Sequence, residues 1–221
     1  DAETGEPLKS GEGLLATDVA ATVEFTPEAA EGTQTVELSF DSSGLGGHRL
    51  VVFEKLLDAE GTVLAVHEDI EDEAAVTVVE IGTTLVDAAD GDQVIEAGKA
   101  KVVDTVAYKG LVPGETYIAV GTLMDKGTGE PFLDKDGNEV TARTPFEPEA
   151  PSGTVEATFE FDTEAWPGDE LVVFEKVLDS AGNVVAAHED IDSAEQSVVV
   201  DNPDTPEVPE EPYAKTGADA P

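Results

Sequence analysis

An internal repeat constrains this chain more than any other feature. LeuValValPheGluLys stands at 50–55 and again at 171–176, and AlaValHisGluAspIle at 65–70 returns as AlaAlaHisGluAspIle at 186–191. Both pairs share an offset of 121 residues, which also joins Phe25 to Phe146, Pro27 to Pro148 and Gly32-Thr33 to Gly153-Thr154. Upstream, Thr4-Gly5-Glu6-Pro7 matches Thr128-Gly129-Glu130-Pro131 at an offset of 124, so the first copy carries three extra residues. Ordered self-similarity of this kind means that one fold is used twice. Asp1 aligns with Asp125. The first copy is therefore expected to lack the counterpart of residues 80–124, and the chain to be a fragment, or one end, of a longer repetitive protein. The expected division is a partial repeat at 1–78, a complete one at 79–200 and a tail at 201–221.

Within the complete copy, short segments alternate apolar and polar residues, the period of half-buried strands. ThrValGluAlaThrPheGluPhe (154–161) sends Val155, Ala157, Phe159 and Phe161 one way and Glu156, Thr158 and Glu160 the other. Similar strands are expected at 81–86, 101–108, 116–124, 139–146, 170–178, 183–191 and 196–200. Pro113-Gly114, Asp136-Gly137, Pro167-Gly168 and Ala181-Gly182-Asn183 supply turns between them. No stretch keeps a helical period with caps. The expected fold is all-β, an immunoglobulin-like antiparallel β-sandwich. Beyond Asp201 the prolines at 203, 206, 209 and 212 prevent strand pairing, and an extended acidic stalk is expected.

Composition removes many function classes. With 11 basic against 50 acidic residues the formal charge is −39, which argues against nucleic acid and anionic lipid as partners. The absence of cysteine removes disulfides, thiol nucleophiles and cysteine–zinc sites. Three histidines leave little for metal chemistry, and neither metal nor cofactor is expected. No apolar run reaches the ~18 residues of a membrane span, and residue 1 does not begin a signal peptide.

The informative residues are polar ones that share a strand face with the core. Thr83 points with Ile81 and Leu85, while Thr84 goes with Gly82 and Val86. Asp104 sits with Val102, Val106 and Tyr108, and Glu175 with Leu171, Val173 and Val177. His188 goes with Val184, Ala186 and Asp190, and Gln196 with Val198 and Val200. Each has an ordinary reading. A threonine is a good β-former, Asp104 suits a strand edge, and Glu175 faces solvent if Val172 and Phe174 form the core face. A buried carboxylate needs a partner or a proton, and a second carboxylate or a histidine supplies either.

Several stretches together carry a family resemblance. They are IleGlyThrThr (81–84), AspThrValAlaTyrLysGlyLeuValProGlyGluThrTyr (104–117), GlyThrLeuMetAspLysGlyThrGlyGluPro (121–131), ValValPheGluLys (172–176) and HisGluAspIle with Gln196 (188–196). In this order they closely resemble the VaFE-repeat, or Thr–Gln ester-bond, domains of Gram-positive surface adhesins. The resemblance implies a Cna-B-like sandwich and an ester formed without an external enzyme between Thr83 and Gln196, assisted by His188, Asp104 and Glu175. Asp190, close to the histidine in sequence, remains an alternative acid. The first copy retains Glu54, His67 and Asp69, but Ala75 stands opposite Gln196 at the 121 offset, so no bond is expected there.

Tyr213-Ala214-Lys215-Thr216-Gly217 resembles a degenerate sortase signal of the Leu-Pro-x-Thr-Gly type, with cleavage implied between Thr216 and Gly217. The implied setting is extracellular: a stalk segment of an adhesin or pilus-like protein anchored to the cell wall. Neighbouring repeats, peptidoglycan through sortase and host surface molecules are the implied partners. The domain would be self-processing in a single turnover, not an enzyme. The alternative is a sandwich that binds a matrix protein or glycan without a cross-link. Isopeptide chemistry is disfavoured, since 81–86 has no Lys and 196–200 no Asn; Asp134-Lys135-Asp136-Gly137-Asn138 reads as a hairpin turn rather than a calcium site.

Overall fold

The computed structural model describes residues 1–10 and 17–202. Thr216 and Gly217 lie outside the described residues. Every regular element described is a β-strand. In the first copy these are β1 (Lys9–Ser10), β2 (Thr17–Asp18), β3 (Arg49–Leu50), β4 (Glu54–Leu57), β5 (Val63–His67) and β6 (Val76–Thr77). They form three separate antiparallel pairs, β1 with β2, β3 with β6 and β4 with β5.

The second copy contains β7 (Glu80–Asp87), β8 (Val94–Ile95), β9 (Lys99–Lys109), β10 (Tyr117–Asp125), β11 (Glu130–Pro131), β12 (Thr141–Phe146), β13 (Ser152–Asp162), β14 (Glu170–Leu178), β15 (Val184–His188) and β16 (Ser197–Val200). One sheet runs β13-β9-β7. The other runs β11-β10-β14-β16-β8, with β12 also on β10 and β15 on β14. All these pairings are antiparallel except β16 with β8, where Val199 and Val200 lie parallel to Val94 and Ile95. The expected antiparallel sandwich is thus present, with this two-residue parallel pair as a local exception. After β7 the chain turns through 88–93 and crosses to the opposite sheet, so β8 arrives in the direction of β16.

Alternation explains the packing. Along β9, Val102, Asp104, Val106 and Tyr108 are buried, and along β13, Ala157, Phe159 and Phe161 are. The apolar side chains between the sheets form two clusters. One holds Leu85, Val102, Leu123, Phe159, Leu171, Val173 and Val198. The other holds Ile81, Val106, Tyr108, Leu111, Tyr117 and Val177. Each buried aliphatic or phenyl side chain contributes about 1.5–3 kcal/mol relative to exposure.

The hairpin turns close on their own side chains. Asp179 Oδ1 accepts the N–H groups of Ala181 and Asn183, and Gly182 takes a left-handed φ of 86° that disfavours a side chain. Asp134 does the same for Asp136 and Asn138, the hairpin turn read from the sequence. In the first copy Asp58 accepts from Glu60 and Thr62. The two copies of this hairpin even share an irregularity: the register slips between Leu56 and Leu57 on β4 and between Val177 and Leu178 on β14. Their surroundings differ. Val173 and Val177 are fully buried, whereas their counterparts Val52 and Leu56 are 52% and 44% exposed.

Candidate functional site

A layer of polar side chains divides the core. On β7, Thr83 lies between Ile81 of one apolar cluster and Leu85 of the other. Asp104 holds the same place on β9 between Val106 and Val102, and Glu175 on β14 between Val177 and Val173. Register aligns these strands: Leu85 is opposite Asp104, Gly121 opposite Glu175, and Glu175 opposite His188. Gln196 occupies the turn immediately before β16, and β7 touches β14, β15 and β16. Thr83 is 3% exposed, while Asp104, Glu175 and Gln196 are completely buried.

The alternatives left open by alternation separate here. Thr84 is exposed, on the opposite face from Thr83. Asp190 is exposed too, and its carboxylate caps its own turn by accepting the Asp192 N–H. Glu175 faces the core, yet Val172 on the other side of the strand is also fully buried. Val184 corrects the reading of β15. It was expected to point inward with His188 but is 55% exposed, because the register slip inserts Val185 and reverses the faces beyond it. The expected strand at 183–191 accordingly ends at His188.

Hydrogen bonding in the layer is incomplete in an informative way. Gln196 Nε2 donates to the Val173 carbonyl at 3.0 Å and, more weakly, to that of His188 at 3.5 Å. Thr83 Oγ1, both carboxylate oxygens of Asp104 and of Glu175, His188 Nδ1 and Gln196 Oε1 are buried without a hydrogen-bond partner. Buried polar atoms normally find partners, and leaving one unmade costs about 1–3 kcal/mol. Seven such atoms at one level of a sandwich are a concentration that stability alone would not retain.

Protonation makes the arrangement tolerable. Burial pushes Glu175 up to about 9, reinforced by the charge of Asp104. Burial also pushes Asp104 up, to about 6. At neutral pH Glu175 therefore carries a proton while Asp104 is ionised, and the two acids hold one charge rather than two. The layer thus contains a buried hydroxyl, amide, protonated acid and carboxylate, and a half-buried imidazole whose Nδ1 faces inward.

A stability test follows from these shifts. In Thr83→Ala, which lacks the buried hydroxyl, the folded acids hold protons that the unfolded chain releases near its ordinary value of 4.5. The unfolded state then binds fewer protons, so stability falls as pH rises from about 4.5 to about 9. Thermal melts of Thr83→Ala are expected to be highest at the acid end of this window. The additional substitution Glu175→Gln should flatten the slope; equal slopes would contradict a protonated Glu175.

Gly121 was not singled out in the sequence. It lies across from Glu175, and a Cβ there would overlap the Glu175 carboxyl group and the Phe159 ring. The absence of a side chain is what makes room for the acid. A surface hollow of about 590 Å³, lined in part by Phe132, Lys135 and Trp166, shares no residue with the layer. Among the described residues, Asp1, Glu3 and His48 are the one group whose potential metal-ligand atoms gather within 4.8 Å, and they too lie outside it.

Comparison with known proteins now bears on this layer. The model of the T-Q ester bond containing domain matches residues 9–77 and again 79–200. The chain belongs to the T-Q ester bond family. Its domains are structural, cross-linking modules rather than enzymes that turn over a substrate. Among solved structures, the T-Q chain is similar to a bacterial adhesin from Mobiluncus mulieris containing intramolecular disulfide, isopeptide and ester bond cross-links. Identity is 17%, the TM-score is 0.46, and the likeness spans 57% of each chain. A glycosyl hydrolase family 2 member from Bacteroides cellulosilyticus is similar at 14% identity and a TM-score of 0.37, over 57% of this chain and 16% of that one. At such values the likeness says nothing of function. No curated protein matches the chain.

In the first T-Q copy the position equivalent to Gln196 can be read from strand pairing as well as from the offset. Leu50 pairs with Val76 as Leu171 pairs with Val198, so Ala74 takes the place of Gln196, one residue from the Ala75 given by the 121 offset. Both residues are alanine, which offers no amide.

Proposed function

We propose that residues 79–200 form a self-cross-linking module of an extracellular surface adhesin, in which Thr83 and Gln196 are joined by an ester. The observation that carries this reading is the sealed polar layer, with an unpartnered hydroxyl, an unpartnered amide oxygen and a raised acid pair. Thr83 Oγ attacks Gln196 Cδ. Its proton passes through Asp104 or His188 toward the amide nitrogen, while protonated Glu175 polarises the amide carbonyl. One O–C bond forms, one C–N bond breaks, and ammonia leaves. Orientation supplies much of the rate, since effective molarities of held groups reach about 10⁵ M or more. Burial then keeps water from the ester. The Thr83 hydroxyl and the Gln196 amide are consumed while the proton carriers are restored, so each domain reacts once.

The bond ties the first strand of the unit to the turn before its last, so that tension on the ends loads a covalent link. That suits a stalk without cysteine. In this proposal residues 1–78 are a partial repeat lacking the reactive amide. The tail at 201–221 attaches the stalk to peptidoglycan after sortase cleavage between Thr216 and Gly217, a part supported by sequence alone. Neighbouring repeats and host surface molecules complete the proposed partners.

Intact mass tests the chemistry. The native chain should weigh one ammonia less than its sequence, and peptide mapping should join the Thr83 peptide to the Gln196 peptide. A native mass equal to the sequence mass would sink the cross-link.

A further inference from the structure

Gln196 reacts from a turn, and turns move more readily than paired strands. Two of its neighbouring carbonyls are tied to the sheets: Glu195 O accepts the Leu85 N–H at 2.9 Å, and Gln196 O accepts that of Val173 at 3.0 Å. The flanking carbonyls of Ala194 and Ser197 are taken by one side chain. Gln93 Nε2 lies 2.8 Å from each, with longer contacts of 3.4 Å to Leu85 O and Glu195 O. A carboxamide has two N–H donors, and the two short contacts use both. The backbone joins in, as Gln93 O accepts the Val199 N–H at 2.8 Å. On the other side Ser197 Oγ donates to Ser193 O at 2.6 Å.

We propose that Gln93 is a positioning residue for ester formation, clasping the backbone on both sides of Gln196 so that its amide carbon stays within reach of Thr83. This rests on the cross-link proposed above. Gln93 touches neither reacting group. It acts through the turn, reaching from the 88–93 crossover to carbonyls about a hundred residues away in sequence. Within the layer, the Gln196 side chain is held through its nitrogen alone, with Oε1 unpartnered. The backbone clasp therefore carries much of the orientation. Misplacement by about 1 Å can cost a reaction of this kind about a hundredfold.

The test is the rate of ammonia loss, followed by intact mass on samples taken during cell-free synthesis of the full chain. Gln93→Glu keeps the shape but replaces the donor with a carboxylate facing carbonyls. It and Gln93→Ala are expected to slow the reaction by about ten- to a hundredfold. Gln93→Lys, which retains a donor, should recover part of the rate. The pH profile should keep its native shape, because the proton-carrying groups are untouched. Rates are compared at a temperature where each variant, combined with Thr83→Ala, is folded by circular dichroism, so that partial unfolding does not imitate the effect. A folded Gln93→Glu reacting at the native rate overturns the inference, as does Gln93→Lys reacting no faster than Gln93→Glu. If Gln93→Glu does not fold, the lysine and alanine variants carry the comparison in the same way. A native chain that never loses ammonia removes the cross-link itself, and this inference with it.

Discussion

Thr83→Ala is expected to lower the melting temperature of the second unit by about 15–20 °C. The ester would close a loop of roughly a hundred residues, and a cross-link of that span stabilises by about 4–5 kcal/mol through the unfolded chain it restrains. One kcal/mol moves the midpoint of a domain this size by about 4 °C. The lost methyl and hydroxyl groups add little beside this. Thr83→Ser, which keeps a nucleophile, should retain both the lower mass and most of the melting temperature. Calorimetry on the three chains decides the matter. If Thr83→Ala melts with the native chain, no bond of this span is present.

The second large effect concerns a residue with no side chain. Gly121→Ala places a methyl group where the Glu175 carboxyl and the Phe159 ring already stand, and both of those residues are buried. Neither neighbour can retreat into solvent. Overpacking of a filled core costs about 1–3 kcal/mol, so the midpoint should fall by roughly 5–10 °C even in a Thr83→Ala background. Displacing Glu175 should also slow ester formation at least about a hundredfold. Gly82→Ala is the matching control, since a Cβ there meets nothing within 4 Å. Equal behaviour of the two alanines, by melting and by intact mass, would rule out the claim that Gly121 makes room for the acid.

The repeat and the alternation made the sheets legible in the sequence, because strands with one wet face write their orientation into every second residue. Thr83 and Asp104 lie on strands of that kind, and their burial follows from Ile81, Leu85, Val102 and Val106 beside them. On β14 the rule weakens. Val172 and Val173 are both fully buried, so hydrophobicity alone does not say which face holds Glu175. On β15 the slip at Val185 breaks the period, which is why Val184 was misplaced. Gly121 and Gln93 left no local mark. A strand glycine ordinarily signals weakness or a bulge. The partners of Gln93 are backbone carbonyls, which every residue possesses, so no residue type in the 194–197 segment points back to it.

The hairpin present in both copies has a consequence for the order of events. Its turn, its register and its slip are the same at Glu54–His67, where the side chains are largely exposed, and at Glu175–His188, where Glu175 and Val177 are fully buried. Such geometry is written locally, and local pairings form early because little chain entropy opposes them. The docking of the 194–197 turn on Leu85 and Gln93 spans more than a hundred residues and belongs at the end. The proposed covalent step, waiting for that docking, would work as a ratchet. It would seal only molecules that have completed the sandwich and leave misassembled ones free to try again.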